Sequence, residues 1–244
     1  MVTPKILVGC PTSDHKEYCI EPYIHRLVHL TYPTYDILIV DNSENDSYVQ
    51  RIKETLKKFT KHRNITWDVV KDDHLPHVKD RIVHSRNLIR EKALKEGYDY
   101  FFSLEQDVIP PPDVIERLLS HDKKVITGIY FKEAAMLNTT TRRKEIVPLP
   151  IIYKDVEHKE ELAYIDLDEL ENNKLLKIVG CGVGCLLIAK DVLKKITFRY
   201  DKRFPAFDDM YFCSDLEQQH IPLYADTTII CRHLHKQTDW EKIT

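Results

Sequence analysis

The feature that most constrains this chain is a rhythm. From Lys5 to Phe131, short apolar runs alternate with segments whose apolar residues recur at helical spacing, and the joints between them are brief. Lys5–Cys10 reads as a buried strand that Pro11 and Thr12 should break, and Ile20, Tyr23, Ile24, Leu27 and Val28 then mark a helix. Asp36–Val40 is a second strand, ending in Asp41-Asn42-Ser43. Asp46 or Ser47 caps a helix carrying Val49, Ile52, Leu56 and Phe59. Ile65–Val70 is a third strand, Ile82–Glu96 a third helix closed by Gly97, and Tyr100–Leu104 a fourth strand. Pro111, Pro112 and Asp113 open a helix with Val114, Ile115, Leu118 and Leu119 on one face, and Val125–Phe131 is a further strand. Strands joined through helices by short connections pack as a parallel sheet. The order therefore predicts an α/β domain with a mostly parallel central sheet and helices on both faces.

Beyond Phe131 the rhythm is lost. Thr139 to Lys144 (TTTRRK) reads as an exposed loop, and the wider segment from Glu133 to Glu145 is expected to act as a lid that orders on ligand binding. Asp155 to Asn173 is acidic and polar, and Ile146–Tyr153, Leu175–Val179 and Cys185–Ala189 are plausible strands. No linker or internal repeat divides the chain, and 244 residues suit one domain. Residues 1–131 are then its ligand-binding half, and 132–244 complete the same sheet and build over its open edge.

Charge narrows the partners. Lys and Arg total 36 against 39 Asp and Glu, a net −3, which argues against nucleic acid or anionic lipid as the main partner. No run approaches the roughly 18 apolar residues of a membrane span. Six cysteines without a C-x-x-C pair, and no export signal, read as reduced thiols in a cytoplasmic protein, with no zinc site.

In a parallel sheet the strand ends and the following helix starts share one edge, where ligands bind. That edge gathers Pro11-Thr12, Asp41, the start of the third helix and Glu105-Gln106-Asp107. Taken singly, Asp41 and Asp107 read equally well as turn and strand-end residues. Arg86 is different. It falls among Ile82, Ile89 and Ala93 on the stripe facing the sheet, where an unpaired charge is very costly. It pairs either with Asp107 as a structural ion pair, or with an anionic diphosphate that a metal on Asp107 also neutralises.

Lys5 to Thr12, Asp36 to Ser43, Ser85-Arg86-Asn87 and Phe101 to Asp107 together resemble a GT-A-fold glycosyltransferase of the family 2 type. The resemblance implies a single GT-A domain, with residues 1–131 its nucleotide-binding half and 132–244 its acceptor-side half. Pro11, Thr12 and Asp41 would hold the nucleotide, Arg86 would approach the pyrophosphate, and the D-x-D position, here Glu105-Gln106-Asp107, would meet the ribose and a divalent metal, manganese or magnesium. Asp107 matches the metal position, and Glu105 departs from the pattern. Gly180-Cys181-Gly182-Val183-Gly184-Cys185 looks like the glycine-rich segment lining the sugar and acceptor side, or else a tight strand connection.

Phe207 to Cys213 is similar to the acidic segment of inverting members, which implies Asp209 as the base that deprotonates the acceptor and Asp208 as its neighbour. Two adjacent carboxylates can also raise one of their pKa values, which suits a base. Ile229 to His235 resembles the late strand whose histidine completes a metal site, with His233 the better match and His235 the alternative. His74, His77 and His84 read as surface or ligand-loop residues. The activity implied is a metal-dependent, inverting, hexosyltransferase-like transfer from a nucleoside-diphosphate sugar, a UDP-sugar by preference, to a hydroxyl on a glycan, lipid-linked or protein acceptor. Two other readings stand beside it. One is a nucleotidyltransferase, although Pro11-Thr12-Ser13-Asp14 lacks the usual glycine-rich loop. The other is a non-catalytic nucleotide-sugar-binding protein with a decayed site.

Overall fold

The computed structural model describes residues 3–63, 65–137, 142–155 and 162–234. The first strand, β1 (Ile6–Thr12), leads through a 3-10 turn (Asp14–Cys19) into α1 (Ile20–Leu27). Then follow β2 (Tyr35–Asp41), α2 (Ser47–Thr60), β3 (Trp67–Lys71), α3 (Val78–Lys95), β4 (Tyr100–Leu104), a two-residue β5 (Val108–Ile109), α4 (Val114–Ser120) and β6 (Val125–Ile129). β7 (Phe131–Leu137) and β8 (Lys144–Pro150) form an antiparallel hairpin. They are followed by β9 (Ile152–Asp155), β10 (Leu162–Tyr164), α5 (Leu167–Asn172), β11 (Leu175–Ile178), β12 (Gly180–Cys181), β13 (Cys185–Ala189) and α6 (Lys190–Leu193). α7 (Asp208–Gln218), β14 (Leu223–Ile230) and β15 (Arg232–His233) end the described chain.

Eight strands make one sheet in the order β11-β14-β6-β13-β4-β1-β2-β3. β1, β2, β3 and β4 run parallel, as do β6 and β14. β13 runs antiparallel between β4 and β6, and β11 runs antiparallel on the outer edge. Strands from both sides of Phe131 thus share one mostly parallel sheet. Its two faces follow the period of two along each strand. Ile6, Val8 and Cys10 turn to one core with Ile24 and Leu27 of α1, Ile52 and Leu56 of α2, and Leu118 of α4. Leu7, Leu38 and Phe101 turn to the other, against Ile89 and Ala93 of α3, Val192 of α6 and Phe212 and Leu216 of α7. Both faces are covered, as a parallel sheet requires. Among the described residues no helix is long and apolar enough to cross a membrane.

Several boundaries correct the sequence reading. Pro11 does not break β1: the strand runs on beside β2, with Pro11 opposite Val40. Pairing with β4 already stops at Gly9, so the proline, with no N–H to donate, sits where one side of the ladder has ended. α3 begins one turn early, at Val78, and Gly97, at φ +76°, ends the turn after it. The segment expected to be a lid loop is strand from Glu133 to Leu137 and again from Lys144, because the two runs satisfy each other's backbone in the hairpin. Thr139 to Thr141, and His235, lie outside the described residues.

Candidate active site

The carboxyl ends of β1, β2, β3 and β4 converge at one edge, and they arrive there with an unusual share of buried polar groups. Thr12, Asp41, Asn42, Asp72, Ser85, Arg86, Gln106, Asp107 and Asp208 are all buried. Each must therefore find partners or remain costly.

Gln106, the middle residue of the E-x-D run, organises the first cluster. Its Oε1 accepts from Thr12 Oγ1 at 2.6 Å and from Tyr48 Oη at 3.1 Å, and its amide nitrogen donates to the Lys16 carbonyl at 2.5 Å. The 3-10 turn is thereby fastened over the strand ends, and the Lys16 ammonium rests on Asp107 Oδ2. β15 pairs with β5 immediately after Asp107, so His233 stands opposite Val108 and its Nε2 lies 3.4 Å from the same Oδ2. Burial alone would raise the Asp107 pKa, but His233 and Lys16 outweigh it and hold the carboxyl at about 2. Asp107 Oδ1 is buried with no hydrogen-bond partner among the described residues.

Arg86 centres the second cluster. It lies on the buried face of α3 with Ser85, Ile89 and Ala93, as its spacing predicts. It does not face Asp107. Its Nη2 donates to Glu105 at 3.0 Å, its Nη1 to Ser103 Oγ at 3.0 Å, and its Nε lies 2.7 Å from Asp208 Oδ2, close in distance but off the hydrogen-bond axis. The reason is topological. α7 packs against α3 and presents Asp208 to the same stripe, so an acid 122 positions away takes the guanidinium. Lys79, in the first turn of α3, donates to the carbonyls of Phe204, Pro205 and Ala206, which steadies the approach to Asp208. Asp209 follows, half-buried, with Oδ1 accepting the Met210 N–H at 2.7 Å. Its pKa is pushed up to about 6, first by desolvation and then by the charge of Asp208.

Asp41 ends β2. Its Oδ1 accepts from the Ser43 hydroxyl at 2.5 Å, while its Oδ2 is buried without a partner among the described residues, and desolvation raises its pKa. Asp72 lies beside it, its N–H donating to the Asp41 carbonyl and its carboxylate accepting from Ser85 Oγ at 2.6 Å and meeting His84 Nδ1 at 2.7 Å. His84 is thus tied into the edge, and so is His74, whose Nδ1 meets the Asn42 carbonyl.

The glycine-rich segment is tied to the E-x-D run, with the Gly184 carbonyl accepting the Glu105 N–H at 3.0 Å. The space its glycines leave is filled by protein. A Cβ on Gly182 or Gly184 would stand 2.2 or 2.7 Å from the Tyr130 hydroxyl. That hydroxyl accepts the Gly184 N–H, and the Tyr130 ring packs edge-on against His233. These glycines seat Tyr130 behind the histidine.

Among the described residues no three His, Cys, Asp or Glu side chains gather as a metal site. Two donors nevertheless fit a divalent ion: the unpartnered Asp107 Oδ1, and His233, whose Nδ1 meets the Phe131 carbonyl at 2.9 Å and so fixes the ring with Nε2 toward Asp107. A magnesium- or manganese-type site that completes its shell with phosphate and water needs few protein ligands.

Three roles had no sequence signal. Nothing in the local pattern marks Gln106, Lys16 or Asp72 for these contacts; only the fold brings them together.

Solved structures resemble this fold: GalNAc-T7 with UDP, GalNAc and Mn2+ (TM-score 0.64, 10% identity, 96% of this chain and 44% of that one); a mannosyltransferase from Pyrobaculum calidifontis with GDP-Man and Mn2+ (0.62, 10%, 99% and 60%); and S. aureus TarS 1-349 with UDP-GlcNAc (0.59, 10%, 98% and 61%). The chain spans less than two thirds of each of these. No curated protein matches its sequence. The model of Glycosyl transferase family 2 matches residues 15–197, and the chain belongs to that family.

Proposed function

We propose that this protein transfers a sugar from a nucleoside-diphosphate sugar to an acceptor hydroxyl, with inversion. The observation that carries this reading is the divided chemistry of the edge. Asp107, which carries the Lys16 ammonium and lies 3.4 Å from His233 Nε2 and is so held ionised, stands in one cluster; Asp209, beside Asp208 and with its pKa raised to about 6, stands in the other. A carboxylate kept charged suits cation binding, and one with its pKa near neutrality suits proton abstraction.

Pro11, Thr12 and Asp41 would line the nucleotide, with the unpartnered Asp41 Oδ2 offered to a donor group of the base or ribose. A divalent ion held by Asp107 and His233 would supply charge neutralisation to the leaving diphosphate. Four carboxylates (Glu105, Asp107, Asp208, Asp209) face two permanent cations (Lys16, Arg86) and one histidine, so a diphosphate would enter a site already rich in negative charge. Asp209 takes the acceptor's proton as its oxygen bonds to the anomeric carbon and the carbon–oxygen bond to the diphosphate breaks. Arg86, paired with Glu105 and Asp208, acts by fixing those acids, which departs from the direct pyrophosphate contact that the resemblance implies. UDP-sugars are the first donors to try, since UDP or UDP-GlcNAc accompanies two of the similar structures, and GDP-mannose, which accompanies the third, is the next.

The test is thermal shift with UDP-, GDP-, ADP- and dTDP-sugars, each with manganese or with EDTA. One nucleotide class should raise the melting point in manganese and fail to do so in the Asp107→Asn variant. No shift with any donor would overturn the reading. Binding without turnover on any acceptor would favour a nucleotide-sugar-binding protein.

A further inference from the structure

The Lys16–Asp107 contact is not an incidental surface pair. The backbone of Lys16 is pinned on three sides: its N–H donates to the Ser13 carbonyl, and its own carbonyl accepts from Gln106 Nε2 and Cys19 Sγ. Two more bonds hold the turn from outside, the Asp14 N–H to Ser43 Oγ at 2.8 Å and Tyr18 Oη to the Leu234 carbonyl at 2.8 Å. Leu234 in turn donates its N–H to the Asp107 carbonyl. The turn, the E-x-D run and the strand bearing His233 are therefore one hydrogen-bonded unit with Lys16 aimed at its carboxylate. The Lys16 side chain remains 38% exposed, whereas Asp107 is 7% exposed, so the lysine has somewhere to go and the aspartate does not.

We propose that Lys16 is a resident counter-ion of Asp107 which a divalent ion must displace, so that entry of the ion is coupled to arrival of the donor's diphosphate. This rests on the donor-site reading above. An ammonium seated on Oδ2 places a positive charge against the position that an ion shared by Asp107 and His233 would take, and the two cations repel. A diphosphate removes the conflict by offering the lysine a new partner. A compact ammonium on a four-carbon stem can turn from a carboxylate to a phosphate with its backbone unmoved. Coupling of this kind is reciprocal: the factor by which nucleotide strengthens the ion equals the factor by which the ion strengthens nucleotide.

Manganese binding by the full chain, followed by the electron paramagnetic resonance of free Mn2+, tests this alone and with UDP or GDP. Wild type should bind Mn2+ weakly alone and more tightly with nucleotide. Lys16→Met should bind nucleotide-free Mn2+ about tenfold more tightly and lose about as much of its nucleotide dependence, inside the roughly 5- to 150-fold span of such couplings. Lys16→Arg, which keeps the charge, should resemble wild type. Melting curves check that both variants fold. If nucleotide still promotes Mn2+ binding but Lys16→Met matches wild type without nucleotide, the counter-ion role falls and the donor site stands. If neither wild type nor variants bind Mn2+ or nucleotide in any combination, both fall.

Discussion

Asp107, buried, and Asp209, half-buried, stand at the same end of the sheet, yet burial loses at one and wins at the other. Around Asp107 an ammonium and an imidazole lie on the carboxylate, and its pKa settles at about 2. Around Asp209 the neighbouring charges are Asp208 and Glu105; Arg86, the cation in reach, is already shared between those two acids, and the pKa settles at about 6. Desolvation alone does not decide what a buried acid does. The partners decide: at Asp107 the fold delivers both from distant positions, whereas at Asp209 the first is its sequence neighbour Asp208 and only Glu105 and Arg86 come through the fold.

The sharpest way to break this comparison is to neutralise the acid that was left without a cation. Asp209→Asn should cut turnover by about 10²- to 10⁴-fold, the usual worth of a positioned general base. Nucleotide-sugar affinity in manganese should change little. In wild type, kcat/KM should fall as pH drops through about 6, because the base must be deprotonated, and the residual activity of the variant should lack that acid limb. Near-normal turnover in Asp209→Asn would place the base elsewhere.

Next in size is the cation that Asp208 and Glu105 share. Arg86→Met strands Asp208, which is 3% exposed at its side chain, and leaves Glu105 without its partner. Breaking a buried ion pair from one side costs about 3–5 kcal/mol, and denaturant unfolding at pH 7 should report a loss of that order. A loss below about 1 kcal/mol would mean that Arg86 is not what holds Asp208 in the fold. In that case the contrast between the two clusters would lose one of its causes.

Much of this edge is legible in the sequence, because its parts are written locally. β4 and β13 have the bounds that their apolar runs predict, Tyr100–Leu104 and Cys185–Ala189, and Arg86 betrays itself as a charge on an apolar stripe. The acids of Glu105 to Asp107 and of Asp208-Asp209 stand out as clusters. What is not legible is who meets whom. The partner of Arg86 is chosen by the packing of α7 on α3, and Lys16 reaches Asp107 because a glutamine side chain 90 positions away holds its carbonyl. The hairpin is hidden for another reason. Lys132, Glu133, Ala134, Ala135 and Met136 are helix-favouring residues held as strand by cross-strand pairing, which overrides their intrinsic preference.

The smallest effect sharpens the comparison most, because the two acids should move stability in opposite directions. Asp209 has a folded-state pKa above its ordinary value of 3.8, so the folded protein holds that proton more tightly than the unfolded chain does. Its contribution favours the fold at low pH and is lost as pH rises from about 3.8 through 6. Above that window the ionised side chain costs up to about 3 kcal/mol, at 1.36 kcal/mol per unit of pKa. Asp107 lies on the other side of 3.8, so its contribution is present above that pH and is lost as pH falls toward 2. Melting temperatures in EDTA at pH 8 should therefore rise for Asp209→Asn, by the equivalent of up to about 3 kcal/mol, and fall for Asp107→Asn. The gain in Asp209→Asn should shrink as the buffer approaches pH 4. A fall for both variants at pH 8 would mean that Asp209 has a cationic partner in the folded protein, and its assignment as the base would fail with the contrast.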